Sequence, residues 1–481
     1  MKTMKMMRRI LSFCTLLLLV FGYSQESNSA APWTLEAAVE HAVKNNLQIR
    51  QAYLDIIEAE TYKSQAVGNF LPTLNLSMAH SWNVGLNRNL TTNVFEDMTN
   101  QFSNASVDMG VNIYNGKRNI YQLLSANLSV LARQYQLEDM KEDVMLLVVN
   151  GYLQVLFSKE NLAVQNNQLL VAKSELEQTQ ALVDAGALPR GELYELQATL
   201  ATQEQQVVSA KNEYEMARIS LAQLLLLDDF EQFSIADSDY YMVATVILDK
   251  TPQELYEKAE SSRNDIMFAK INVEIAEANL KIAKAAYQPS LTGFYSYSSR
   301  ISYADILVPT GAVTQVPIGA VQETGQTVVT PQPQTSIASH LPIGEQLKQN
   351  DGHNFGVSLR IPVLNGLSVK NNVRRNKVSV ERSSTVLTQQ KQDLERTIYQ
   401  SYADAKGGIK AYEAAQKTTQ ARKEAYQYAL DRFNEGAATS LQFSQAKQRY
   451  DAAVSAELRA KFDAIFRIKI LEFYFGIPLT L

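Results

Sequence analysis

The side chains able to do covalent or metal chemistry are few and badly spaced for it. Cys14 is the single cysteine in 481 residues. Disulfide frameworks, thiolate zinc sites and cysteine nucleophiles are therefore excluded from the rest of the chain. The four histidines, His41, His80, His340 and His353, are scattered, and no two form an HxxxH pair. Gly110 and the run Gly116-Lys117-Arg118 have the wrong spacing for a phosphate loop and lack the Ser or Thr that follows its lysine. No GxSxG, HExxH or paired-cysteine motif occurs, so the expectation is a protein without catalysis, cofactor or bound metal. With 45 Lys and Arg against 50 Asp and Glu, the net charge of −5 argues against nucleic acid as a partner.

What the sequence does carry is architecture. Lys2, Lys5, Arg8 and Arg9 precede the apolar run Leu11–Phe21, which is too short to span a bilayer. Residues 1–24 therefore read as a secretory signal peptide, with Gly22 and Ser24 placed for cleavage before Gln25 and Ala30–Ala31 as the alternative cut. Cys14 lies ahead of Leu16–Val20 and follows bulky Phe13, a poor setting for lipid attachment. No later stretch reaches eighteen consecutive apolar residues, so an exported chain would be periplasmic, secreted, or held in an outer membrane by β-strands.

The chain also reads as one unit written twice. Ile49, Ala52, Ala59, Ala66, Pro72 and Leu74 recur 217 positions later as Ile266, Ala269, Ala276, Ala283, Pro289 and Leu291. Asn115-Gly116, Tyr152 and Gly186 recur 250 positions later as Asn365-Gly366, Tyr402 and Gly436. The change of offset places a 33-residue insertion in the second copy. That gives a first repeat at 25–228, a linker at 229–250, a second repeat at 251–476 and a tail at 477–481. The Pro- and Gly-rich stretch 304–352 reads as an exposed extracellular loop.

Each repeat is expected to run helix, strand, strand, very long helix, turn, long helix. Residues 117–183 and 367–433 lack proline, and each would be about 100 Å long as one helix. Leu387, Leu394, Ile398, Tyr402, Ala405, Ile409 and Tyr412 follow at spacings of 7, 4, 4, 3, 4 and 3, a coiled-coil seam. Strand pairs are expected at about 73–114 and 290–364. From Leu74 to Leu86 apolar residues alternate with Asn, Ser, Ala and Gly, and Val107–Ile113, Leu291–Tyr303 and Phe355–Val363 also alternate. Such strands suit a membrane β-barrel with lipid outside and water inside, or else a soluble sandwich with one buried face. Four strands cannot close a barrel in lipid. Two copies would fill their own interior with side chains, and three would enclose twelve strands and a water-filled lumen. The fold class expected is a mixed α and β membrane protein of two tandem repeats, trimeric, with a twelve-stranded barrel continuing into a coiled-coil α-helical barrel.

The order of these elements resembles the TolC-type outer membrane efflux channels. The signal peptide, the doubled spacing, Pro72 and Pro289 where helix enters strand, and Asn115-Gly116-Lys117-Arg118 and Asn365-Gly366 where strand returns to helix carry the likeness. The resemblance covers nearly all of 33–476. It implies a homotrimer in outer-membrane lipid and a passive duct recruited by a periplasmic adaptor and an inner-membrane pump of RND or ABC type. Its cargo would be small toxic molecules, with type I protein secretion or metal efflux as alternatives. A soluble periplasmic coiled-coil scaffold or adaptor is the competing class. The turns Ala185-Gly186-Ala187 and Glu435-Gly436-Ala437 would form the periplasmic tip where adaptors dock. The family often carries pore-facing acids six and nine residues past the second turn glycine. Here Gln442 and Gln445 stand there, while Glu192 and Glu195 occupy the matching places in the first copy and could form acidic rings. Lys117, Arg118, Lys370, Arg374 and Arg375 would lie at the periplasmic membrane boundary, within reach of lipid phosphates or acidic neighbours.

Overall fold

The helices begin where the sequence can satisfy their first amides. In the computed structural model, which describes residues 32–89, 91–228, 230, 232–236 and 246–476, Thr34 caps α1 (Leu35–Asn45) by accepting from the Ala37 amide. Thr251 caps α5 (Pro252–Ser262), and Glu254 closes a reciprocal capping box. Asn46, with φ −62° and ψ 132°, breaks α1 from α2 (Leu47–Gly68), and its Oδ1 accepts from the Gln48 amide at 2.8 Å. Arg263, 217 positions on, has φ −69° and ψ 134° and breaks α5 from α6 (Asn264–Ala285). Two 67-residue helices, α3 (Arg118–Asp184) and α8 (Ser368–Asn434), are each followed across a short turn by α4 (Arg190–Leu224) and α9 (Ser440–Phe475). The expected signal peptide and C-terminal tail lie outside the described residues, as do residues 229, 231 and 237–245 of the linker.

The chain divides into two units. The first contains residues up to Glu58, Leu131–Asn272 and Ser383 onward. Its core gathers Val144, Val148 and Val155 of α3, Leu221 of α4, and Leu458 and Phe462 of α9, all buried. Tyr152, fully buried, donates from its hydroxyl to the backbone carbonyls of Trp33 (3.0 Å) and Ala236 (3.3 Å). Tyr402 likewise donates to the Leu248 carbonyl at 3.2 Å. These two hydroxyls tie both described ends of the linker to the long helices. A second cluster takes Leu394, Ile398 and Ala405 of α8, with Leu387, Tyr402 and Ile409 packed against it, which is the seam expected from the heptad spacing. Gly408 lets α8 approach α9: a Cβ there would lie 3.3 Å from Ala464 Cα and 3.0 Å from Arg467 Cδ.

The second unit contains Ala59–Val130 and Val273–Arg382. Its four-stranded antiparallel sheet has the order β1 (Thr73–Arg88), β2 (Phe95–Asn115), β3 (Ser290–Ser302), β6 (Gly352–Arg360). A bulge between Asn112 and Tyr114 leaves Ile113 outside the β2–β3 register. The segment expected to be a loop at 304–352 is instead mostly ordered. It forms a separate hairpin, β4 (Ile306–Ala320) with β5 (Thr327–Ala338), and the short helix α7 (Ile343–Gln349). Prolines 309, 317, 331 and 333 suggested a loop, but both strands of a two-stranded ribbon are edges, where a missing N–H is tolerated. Gln346, buried, fastens α7 to β3 by accepting from the Ser302 amide at 2.8 Å and donating to the Ser302 carbonyl at 3.0 Å.

The buried Arg263 holds the first unit together by charge. Its guanidinium lies 3.1 Å from Asp265, 3.5 Å from Asp139 and 3.7 Å from Glu142, and rests over the rings of Phe473 and Tyr474. Replacing it with Ala leaves three carboxylates without their cation. Arg263→Ala should lower unfolding stability by about 3–5 kcal/mol in denaturant titrations of the solubilised protein, and an unchanged midpoint would remove the cluster from the structural account.

Candidate functional site

The sheet has two chemically different faces. Across the four strands one row reads Leu74, Met109, Tyr295, Phe355 and the next Leu76, Val107, Tyr297, His353. On this side Leu74, Met78, Val84 and Phe355 are 69%, 78%, 75% and 77% exposed within the single chain. The opposite side reads Asn75, Asp108, Ser296, Asn354 and Ser77, Ser106, Ser298, Gly352. There Asp108 accepts from Ser296 Oγ at 2.6 Å and Ser106 Oγ at 2.9 Å. An apolar face of this extent with no protein against it is the signature of a surface meant for lipid or a partner. Strands β1 and β6 are edges, each with one side free of pairing within the chain.

The other candidate region is the pair of turns ending α3 and α8. Gly186 (φ +72°) and Gly436 (φ +71°) adopt the left-handed conformation that stops a helix. In both, the residue after the glycine bonds back five residues: Ala187 to Leu182 and Ala437 to Arg432, each at 2.8 Å. Nothing lies within 4 Å of where a Cβ would sit on either glycine, so both turns present open backbone.

The expected gate residues have unequal roles. Gln442 completes a capping box with Thr439, which ties its side chain to the α9 N-terminus, and Gln445 is exposed. Glu192 lies in the first turn of α4, and its Oε2 is shielded from solvent without a hydrogen-bond partner. Glu195, one turn on, is exposed and borders a cavity of about 710 Å³ together with Gln165, Gln203, Lys447 and Asp451. The basic residues also part company: Arg374 and Arg375 line a surface concavity of α8 with Arg382, whereas Arg118 lines a different cavity on the sheet. Lys117 is exposed at φ +67°.

Sequence reasoning missed the polar seam above the turns. Gln165, Gln168, Ala172, Glu175 and Thr179 are all buried along α3, at spacings of 3, 4, 3 and 4. A search for apolar residues passes over them, yet the heptad spacing of Gln, Glu and Thr was there to be found. Gln203 of α4 donates to Gln165 Oε1 at 2.9 Å. Lys447 of α9 pairs with Glu175 at 2.5 Å, and the Tyr426 hydroxyl donates to the same carboxylate at 3.2 Å. Beside them, Phe433 stacks on Phe443 and Tyr426 on Tyr450, clamping α8 to α9. Burial raises the Asp451 carboxyl to about 6; Lys447 opposes the shift and Glu175 adds to it.

A family model for outer membrane efflux proteins matches residues 38–225 and 255–465. The chain belongs to that family. Membership places it in the outer membrane, with its helical part in the periplasm. Among individual proteins, the probable outer membrane lipoprotein SilC of Salmonella typhimurium is 27% identical over 276 residues, 55% of this chain and 56% of SilC. TolC of Vibrio cholerae is 24% identical over 165 residues, 33% of this chain and 36% of TolC. The chain thus spans about half or less of the curated relatives it matches. In fold it is similar to the crystal structure of CusC, with a TM-score of 0.74 at 16% identity, covering 92% of this chain and 91% of that one.

The polar seam should respond to pH. Because the folded Asp451 carboxyl titrates above its ordinary 3.8, its burial is unfavourable at neutral pH and is relieved as pH falls through about 6. Asp139, buried near Asp265 and Asp143 and opposed by Arg263, is also raised to about 6. Acidification from neutral toward pH 5 should therefore stabilise the protein by about 1 kcal/mol per group, reduced by solvent screening. Thermal unfolding of D451N should lose its share of this rise and D139N/D451N most of it; an unchanged pH profile in the double variant would contradict the assignment.

Proposed function

We propose that three copies of the chain close a twelve-stranded barrel continuous with a coiled-coil helical barrel, forming a passive exit duct for small toxic molecules in a tripartite system. A periplasmic adaptor and an inner-membrane pump of RND or ABC type would recruit it and supply the energy. The observation that carries this reading is the sheet, apolar on one face, polar on the other and open at both edges. In lipid such edges leave backbone N–H and C=O groups unsatisfied, and identical neighbours are the nearest source of partners. Eight strands would fill their own interior, while twelve leave a lumen that Asn75, Asp108 and Ser296 would line.

The tandem-repeat reading is supported by paired details. Asn46 and Arg263 break helices at nearly equal angles, Tyr152 and Tyr402 anchor the linker, and Gly116-Lys117 and Gly366-Leu367 are all left-handed. The turns at Ala185, Gly186, Ala187 and at Glu435, Gly436, Ala437 are the adaptor-docking tips, since both offer exposed backbone with no neighbour to displace. Glu192 and Glu195, tripled around an axis, would favour cations at the entrance, while Gln442 and Gln445 add no charge.

Two measurements test this. Purified protein in planar bilayers should conduct, with cation preference reduced in E192Q/E195Q; absence of any conductance by the wild type would sink the duct. Gly186→Trp and Gly436→Trp strain a left-handed position by about 1–2 kcal/mol, too little to unfold the trimer. Both should abolish export in cells while trimers persist on native gels, and undiminished export would refute docking at the turns.

A further inference from the structure

We propose that the cavity at the base of the sheet, between the start of α3 and the end of β6, is an oxyanion-binding site in which Arg118 and Arg360 hold a phosphate or carboxylate group. The cavity measures about 440 Å³ and is also lined by Asn69, Asn119, Gln122 and Gln288. No carboxylate lines it, and among the described residues none pairs with either guanidinium. Two cations sharing a concavity without an acid repel each other, and an anion between them removes that repulsion. Arginine forks match the oxygens of phosphate and carboxylate, and Gln122 and Gln288 line the same cavity with neutral donors.

The site is also built. Asn119 is buried, donates to the Asn69 carbonyl at 2.7 Å and accepts from Asn115 Nδ2 at 2.6 Å. These bonds fix the cavity wall and leave both guanidinium groups uncommitted. The strand-to-helix turn does not need this chemistry. The turn 250 positions on, at Gly366-Leu367, has the same pair of left-handed residues but Ser368 and Val369 in place of Arg118 and Asn119. Gly110 stands 250 positions before Arg360. Arg360 shares the polar face with Asn115 and Ser290, the face assigned above to the lumen. The site's place along the export path rests on that reading, but anion binding itself does not.

The test uses the purified full-length protein in a nonionic detergent, with inorganic pyrophosphate as the probe in calorimetric titration. Binding should saturate at one anion per chain and weaken about tenfold in R118Q or R360Q, the loss expected for one charge-assisted contact. R422Q, an equal charge change at an exposed position of α8 outside the cavity, should bind as wild type does. Equal losses in all three variants, or no saturable binding by wild type, would overturn the proposal. R118K/R360K should recover part of the affinity, and thermal unfolding checks that the glutamine variants are folded. Two further readouts identify the source of the anion. A soluble ligand predicts that pyrophosphate blocks bilayer current in wild type and not in R118Q/R360Q. A lipid headgroup predicts co-purifying anionic phospholipid that pyrophosphate displaces and that the double variant lacks. A wild type that binds pyrophosphate but conducts no current would refute the duct and leave the site standing.

Discussion

Backbone hydrogen bonding at the sheet edges is the constraint from which the rest follows. Strand β1 has 16 residues and β6 has 9, and each pairs on one side only within the chain. In water such edges are a hazard of aggregation; in hydrocarbon, which offers no replacement donors or acceptors, they must be covered by protein. The exposed row from Leu74 to Leu86 makes sense only in that setting, because burying it in a single chain would require a layer the fold does not supply. The four-stranded sheet thus carries a backbone demand for partners that the single chain does not meet, before any side chain takes part.

The long helices solve a different problem. A helix of 67 residues cannot be held by propensity and needs a partner along its length. Packing in the first unit changes character along α3. Around Tyr152 the seam is apolar and is anchored to the linker by hydroxyl bonds to backbone. From Gln165 to Thr179 it is amide, carboxylate and hydroxyl. On α8 the apolar stripe from Leu394 to Ala405 is followed by Gly408, whose missing side chain draws α9 close. The firm packing therefore lies beside the linker and the hydrogen-bonded packing nearer the turns.

Much of this was legible in the residues. Strict alternation located all four strands of the main sheet, because one face must meet a single environment. The proline-free runs and the glycines at 186 and 436 bounded the long helices, and the α8 seam was visible as apolar heptads. What escaped notice were structures whose logic is pairwise. The hairpin at 306–338 hid behind prolines that an edge strand tolerates. The cluster around Arg263 joins α3, α6 and α9 from positions far apart in the chain, and the cavity that Arg118 and Arg360 both line depends on strand register. The seam at Gln165–Thr179 had the right spacing in the wrong alphabet, since periodicity is usually sought among apolar residues.

That alphabet has a mechanical meaning. A zipper made of leucines resists parting because each tooth, once pulled free, stands bare in water. Teeth of glutamine, threonine and glutamate are rehydrated as they separate, and solvent returns much of what the closed contact gave. Along α3, a seam stitched in this way can be drawn apart and closed again without baring apolar surface, whereas the stacked rings of Phe433 with Phe443 and Tyr426 with Tyr450 hold α8 to α9.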